Sequence, residues 1–131
     1  FHGIPIDYCS KGDPYHEQCQ QTASLLAQAL KLTDDQWTIS YQSLFGKAEW
    51  LKPYTSATLE KMPGQGITDI DIICPGFSND CLETLEEIKI ENKKIFLDAG
   101  GKNYQYIPAL NDSDEHIQLM LELIKTHTQG W

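Results

Sequence analysis

Residues 67–88 read ITDIDIICPGFSNDCLETLEEI, and this stretch decides the fold. Residues 67–74 alternate and are rich in isoleucine, which predicts a strand ending at Pro75-Gly76. Asp80 then stands where a helix cap is wanted, and Glu83, three residues on, completes a box of the D-x-x-E type. Leu82, Leu85 and Ile88 give the following helix an apolar stripe. A strand feeding a helix through a short polar loop is one half of a βαβ unit.

The flanking segments continue the alternation. Residues 54–62 (YTSATLEKM) predict a short helix closed by Pro63-Gly64, and residues 37–42 (WTISYQ) predict a strand. Residues 16–32 predict an amphipathic helix with Cys19, Ala23, Leu26, Ala27 and Leu30 on one face. Asp13 is its candidate cap, and Pro14 suits its first turn. Downstream, Ile95-Phe96-Leu97 and Tyr104–Ile107 predict strands around the turn Ala99-Gly100-Gly101. Residues 114–127 predict a last helix, with Ile117, Met120, Leu121 and Ile124 on one face. The pattern is that of an α/β fold, a parallel sheet flanked by helices and flavodoxin- or Rossmann-like. Ligands of such sheets sit beyond the carboxyl ends of the strands, so the loops there are where function is sought.

Composition narrows the function. The 131 residues carry a formal net charge of -9, and all ten basic residues are lysines. An acidic chain repels phosphate backbones, which excludes nucleic acid as a partner. No apolar run approaches the ~20 residues that span a bilayer, and no leader pattern is visible, so a cytoplasmic location is expected. Cys9, Cys19, Cys74 and Cys81 form no CxxC pair, which leaves zinc-ribbon and thioredoxin-like motifs unsupported. They read as free, mostly buried thiols rather than as two disulfides.

Three regions at strand ends carry unusual side chains. His2 precedes Gly3-Ile4-Pro5 and reads as the end of a first strand, with Phe1 its other remaining residue. Gln42, Ser43 and Trp50 follow the WTISY strand, and Phe77, Asp80, Glu83 and Glu87 follow the IDIIC strand. An imidazole titrates near ~6.5, which suits proton abstraction or metal ligation at neutral pH. Glu83 and Glu87 are four apart and share a helix face. That face is either a solvated acidic surface favoured by the helix dipole or a carboxylate ladder for protons or a divalent cation. Trp50 and Phe77 are either core residues or the walls of a pocket for a large flat ligand. His16, His116 and His127 fall in helices and read as structural or exposed.

Four blocks, in order, carry a resemblance that covers essentially the whole chain. FHGIPIDYCSKGDPY (1–15) resembles the histidine segment of ferrochelatases. YQSLFGKAEWLKPYT (41–55), CPGFSNDCLETLEEI (74–88) and AGGKNYQYIPALN (99–111) are similar to their QS-x-FG-x-x-WL-x-PYT, CPGF-x-x-DCLETLEEI and AGG-x-x-Y-x-YIP-x-LN segments. The resemblance implies insertion of ferrous iron into protoporphyrin IX to form protoheme. It implies a chelatase-like protein of two similar α/β domains with the porphyrin cleft between them. Residues 1–131 are then the C-terminal domain, with an N-terminal domain and most of the first strand lying outside this stretch.

Residue by residue, His2 matches the active-site histidine and Glu83 the carboxylate facing it, as catalytic and metal-handling groups. Glu87 and Asp80 match acids of the same segment, assigned to a proton or metal path. Gln42, Ser43, Trp50 and Phe77 match the porphyrin pocket. Fe²⁺ is expected as substrate, with no tightly bound cofactor. No iron–sulfur cluster is expected, because the cysteines do not match the cluster at the carboxyl end of animal enzymes. Peripheral membrane association is an expectation for the full-length protein, and little or no activity for this stretch alone. The chain departs from the pattern at Asp7 and Leu44, where many bacterial relatives carry arginine. Any propionate partner is then a lysine, a neutral donor or a residue outside this stretch. The competing readings are a porphyrin- or metal-binding relative without turnover and a chelatase for another tetrapyrrole. The intact His2/Glu83 pair opposes the first, and the DCLETLEEI block opposes the second.

Overall fold

The computed structural model describes all 131 residues. Five α-helices occur in chain order: α1 (Ile6–Ser10), α2 (Tyr15–Ala29), α3 (Thr55–Lys61), α4 (Lys93–Asp98) and α5 (Asp114–His127). Two strands, β1 (Asp69–Ile73) and β2 (Asn103–Ile107), pair in parallel from Asp69 opposite Asn103 to Ile73 opposite Ile107. A π-helix, Glu83–Asn92, runs directly into α4, and the two together make the crossover between the strands. This is the parallel, helix-flanked α/β arrangement expected from residues 67–88.

Alternation along β1 turns Ile70 and Ile72 toward a core of Leu59, Phe96 and Tyr104, where Met62 and Tyr106 also pack. A second small core of Cys19, Tyr41 and Leu51 gathers Phe1, Ile4, Cys9, Tyr15 and Ile39. It ties α2 to the segment that precedes α3. Asp13 Oδ1 accepts from the Tyr15 backbone N–H at 2.9 Å and so serves the start of α2 as expected. Ser113 caps α5 by accepting from the His116 N–H. His116 is buried, with Nδ1 2.6 Å from the Asn111 carbonyl, and His16 Nδ1 lies 3.0 Å from the Tyr41 hydroxyl.

The structure corrects four expectations. Residues 37–40 form no strand; Gln42 bridges His2 and Tyr41 bridges Tyr54, each through a single parallel rung. Only Phe1–Gly3 lie alongside Gln42, whose N–H donates to Phe1 O while its carbonyl accepts from Gly3 N–H. The alternation is present, but each rung stands alone and no ladder forms. Second, Ile95-Phe96-Leu97 lie in α4, not in a strand. A three-residue apolar run fits either state, and here the helix from Glu83 continues unbroken through it.

Third, the buried row of that helix is not Leu82, Leu85 and Ile88. Leu82 is 74% and Leu85 39% exposed, whereas Thr84, Ile88, Asn92 and Phe96 are buried at every fourth position. Asp80 does not cap it either. Its N-cap is Leu82, with no side-chain bond, and Thr84 Oγ1 instead accepts from the Cys81 N–H at 3.0 Å. Fourth, the expected inner face of α5 is open, with Ile117, Met120, Leu121 and Ile124 between 42% and 57% exposed. Leu30, at the end of α2, is likewise exposed, while Cys19 and Ala27 of the same expected face are buried.

All four cysteines are free; Cys19 and Cys74 are buried, Cys9 and Cys81 partly so. No helix is long and apolar enough to cross a membrane.

Candidate active site

His2, at its bridge with Gln42, is held by its backbone and by one ring nitrogen. Its carbonyl accepts from the Tyr15 hydroxyl at 2.9 Å, and its Nδ1 lies 2.6 Å from the Gly3 carbonyl oxygen. A carbonyl oxygen can only accept, so Nδ1 carries a proton, and in the neutral form of the ring Nε2 is the nitrogen with the lone pair. The imidazole sits between the rings of Trp50 and Phe77, with centroids 6.2 and 6.4 Å away. Gly3 lets this packing close up. A Cβ there would stand 3.1 Å from both the Gln42 carbonyl oxygen and Trp50 Cε3.

Gln42 joins this corner to the acidic helix. Its side chain is buried, and Nε2 donates to the Glu83 carbonyl at 2.8 Å and to Glu87 Oε2 at 3.2 Å. Its Oε1 accepts from the Cys74 thiol at 3.6 Å. Burial pushes that thiol up to about 11, so it stays protonated and donating at neutral pH. Ser43 adds two further donors to Glu87, its backbone N–H to Oε1 at 2.6 Å and its hydroxyl to Oε2 at 2.5 Å. Ser43 reaches both oxygens from the left-handed region, at φ 65°. That conformation costs an L-residue about 1–2 kcal/mol.

The Glu83 carboxyl is held below its usual range, first by the Cys81 thiol and its own backbone N–H, then by the charge of nearby His2. The π-helix carbonyls also receive side-chain donors: Asn92 Nδ2 donates to Glu87 O at 2.7 Å and the Tyr104 hydroxyl to Ile88 O at 2.6 Å. Such wide turns are rare and frequent at functional sites.

Asp80 stands apart from this group. Its Oδ1 accepts from Thr84 Oγ1, the Tyr106 hydroxyl and the Ala109 N–H, and its Oδ2 from Asn111 Nδ2. Desolvation opposes ionisation there, but these hydrogen bonds outweigh it and hold the carboxyl at about 2. No three His, Cys, Asp or Glu side chains converge as a cation site.

The structure thus groups His2, Trp50, Phe77, Gln42, Ser43, Glu83 and Glu87, and places Asp80 in a clasp between the β1 loop and the end of β2. Sequence spacing did not single out Tyr15, Asn92, Tyr106 or Asn111. Each acts through a partner remote in sequence or through a backbone carbonyl, so no local pattern marks them.

A parallel βα unit with a histidine and an acidic helix at one end defines an α/β ligand-handling domain. The sequence model of the ferrochelatase family, described as Ferrochelatase, matches residues 1–128. The chain is 56% identical over its whole length to Ferrochelatase 1 of Shewanella oneidensis and 53% identical over its whole length to Ferrochelatase of Teredinibacter turnerae. It is 59% identical over 95% of its length to Ferrochelatase of Actinobacillus pleuropneumoniae. These three relatives are longer, and the chain spans 39%, 36% and 39% of them respectively. The chain belongs to the ferrochelatase family.

Proposed function

We propose that these residues form the C-terminal domain of an enzyme that inserts Fe²⁺ into protoporphyrin IX, giving protoheme. The observation that carries this reading is His2. Its ring lies between two aromatic side chains, with Nδ1 committed to Gly3 O and Nε2 left with a lone pair. Metalation replaces two pyrrole N–H protons with one divalent ion, so it needs a base and an onward path for protons. His2 Nε2 is the base or first metal donor, and the Glu83 carboxylate favours the imidazolium that results. Glu87 lies one turn further along the same helix and belongs to the path. The path role of Asp80 rests on the resemblance alone; its clasp supports an anchoring role. Trp50, Phe77, Gln42 and Ser43 line the porphyrin side.

The opposing wall comes from an N-terminal domain in cis, and residues 1–131 alone carry little or no activity. Iron is a substrate here, with no tightly bound cofactor and no iron–sulfur cluster. The full-length protein works in the cytoplasm, associated peripherally with the membrane. The test is His2→Ala in the full-length protein. Insertion of Fe²⁺ or Zn²⁺ is expected to vanish while an absorbance titration still shows porphyrin binding; retained turnover removes His2 from the chemistry.

A further inference from the structure

α5 is anchored where it begins. Ser113 caps it, His116 Nδ1 meets the Asn111 carbonyl, and every residue from Ile117 onward is exposed. Yet Ile117, Leu119, Met120, Leu121, Leu123 and Ile124 are apolar, and at 3.6 residues per turn they cover more than one side of the helix. The polar residues keep to one edge, where Gln118 Nε2 and Lys125 Nζ both donate to Glu122 Oε1. A helix of 14 residues draws most of its stability from tertiary packing, so this apolar side needs a cover. The domain's own sheet does not offer one. Ile70 and Ile72 face the core, and the other side of the sheet shows Asp69, Asp71, Asn103 and Gln105. Laying α5 there would strip water from two carboxylates.

Three observations say what covers it. Well over half of each longer relative lies outside this stretch, since the chain spans 39%, 36% and 39% of them. Ile117 and Met120 line a cavity of about 480 Å³ together with Ser78, Asn79, Asn111 and Asp112. Ser78 follows Phe77, so the apolar side of α5 runs on from the carboxyl ends of the strands, where the ligand cleft of an α/β sheet lies. Charge opposes the other occupants. A second copy pairs like surfaces and would set Asp114, Glu115 and Glu122 of one α5 against the same acids of its twin. An anionic lipid surface repels a chain of net charge -9 in the same way.

We propose that α5 docks its apolar side on the N-terminal domain of the same protein and straps the two domains together beside the porphyrin cleft. Its anchor reaches the site. Asn111, which holds His116, also donates from Nδ2 to Asp80 Oδ2 and accepts from the Asp80 N–H. A seated α5 therefore fixes the loop of Phe77 and Asp80 against the opposing wall. The inference rests on the reading of residues 1–131 as the C-terminal domain of a longer enzyme.

The test uses the full-length protein. Leu121→p-benzoylphenylalanine places a photo-cross-linker on the apolar side, and Gln118→p-benzoylphenylalanine places one on the polar edge. Each is irradiated with and without vesicles of phosphatidylethanolamine and phosphatidylglycerol, and the adducts are mapped by peptide mass spectrometry. Position 121 is expected to link, within one chain, to a peptide that precedes Phe1, and position 118 is expected not to. In the wild type, amides 119–126 are expected to exchange hydrogen ~100-fold or more slowly than in an unprotected chain. That measurement needs no substitution, so a variant that folds badly cannot hide the answer. A link between two chains, a link to lipid, a link confined to residues 1–131, equal yields from 118 and 121, or exchange at the unprotected rate each overturns the docking. Metal insertion by the wild type is measured alongside. Its absence defeats the enzyme reading, whereas an active enzyme whose α5 links nowhere defeats the strap alone.

Discussion

The Tyr106 hydroxyl, on β2, donates to the Asp80 carboxylate in the loop that follows β1. This bond joins the carboxyl ends of the two paired strands and closes the loop from which the acidic helix starts. Asp80→Ala would leave the Tyr106 hydroxyl and one Asn111 N–H without their acceptor, while Thr84 could turn to the Cys81 carbonyl. The expected cost is about 1–3 kcal/mol, read as a lower midpoint in denaturant.

The same clasp sets an acid limit. The Asp80 pKa is about 2 in the folded chain, below the ordinary carboxylate value. A depressed pKa contributes stability that is fully present above the unfolded value near ~3.9 and is lost as pH falls through the folded one. Unfolding midpoints measured from pH 5 to pH 2 should therefore fall more steeply for the native sequence than for Asp80→Asn. Parallel curves would show that the clasp adds no acid sensitivity.

Gly3→Ala tests how closely His2 is packed. The new Cβ must push the Trp50 ring or the Gln42 carbonyl, each 3.1 Å away. The backbone bond from Gly3 N–H to Gln42 O fixes the His2 bridge, so the imidazole moves with it. In the full-length protein, kcat is expected to fall by ~10-fold or more while the fold persists by circular dichroism.

Gly101→Ala tests the strand–helix junction. A Cβ at Gly101 would overlap the Phe96 ring, which is fully buried. Overpacking of this kind costs about 1–3 kcal/mol, and a smaller side chain at 96 should recover part of it in a double-mutant cycle. Simple additivity would place the strain elsewhere.

Thiol labelling gives an independent check of the core. Four free thiols should titrate in denaturant without reductant. Under native conditions Cys9 and Cys81 should react with iodoacetamide well before Cys74, which is buried and shifted up to about 11. Cys19, also buried with its thiol pushed up by desolvation, should follow the slow class.

The paired strands were legible because period-2 alternation needs only local sequence. Ile70 and Ile72 turn inward and Asp69 and Asp71 outward, as the alternation requires. The segment 37–42 alternates just as well but meets its neighbours only at single rungs, Gln42 with His2 and Tyr41 with Tyr54, and strand formation needs a partner that the segment itself does not encode. The helix after Asp80 was placed correctly and its buried face was not. A stripe at α-helical spacing selects Leu82 and Leu85, while the wider winding buries Thr84, Ile88 and Asn92. The site residues on one helix, Glu83 and Glu87, were visible by spacing. What holds Glu87 was not, because Ser43 lies 44 positions away and reaches it through an unusual backbone angle.

The wide winding of Glu83–Asn92 also fixes how the domain can vary in length. The side chains of Gln42 and Tyr104, from outside it, and of Asn92 at its own end each meet one particular carbonyl of that helix. Substitutions at its exposed positions, such as Glu86, Lys89 and Ile90, leave those meetings intact. Deleting one residue between Glu87 and Asn92 would not. The helix could tighten to ordinary winding, but Glu87 would rotate off Ser43 while Phe96 stayed locked in its core. This stretch should therefore accept changes of side chain and refuse changes of length.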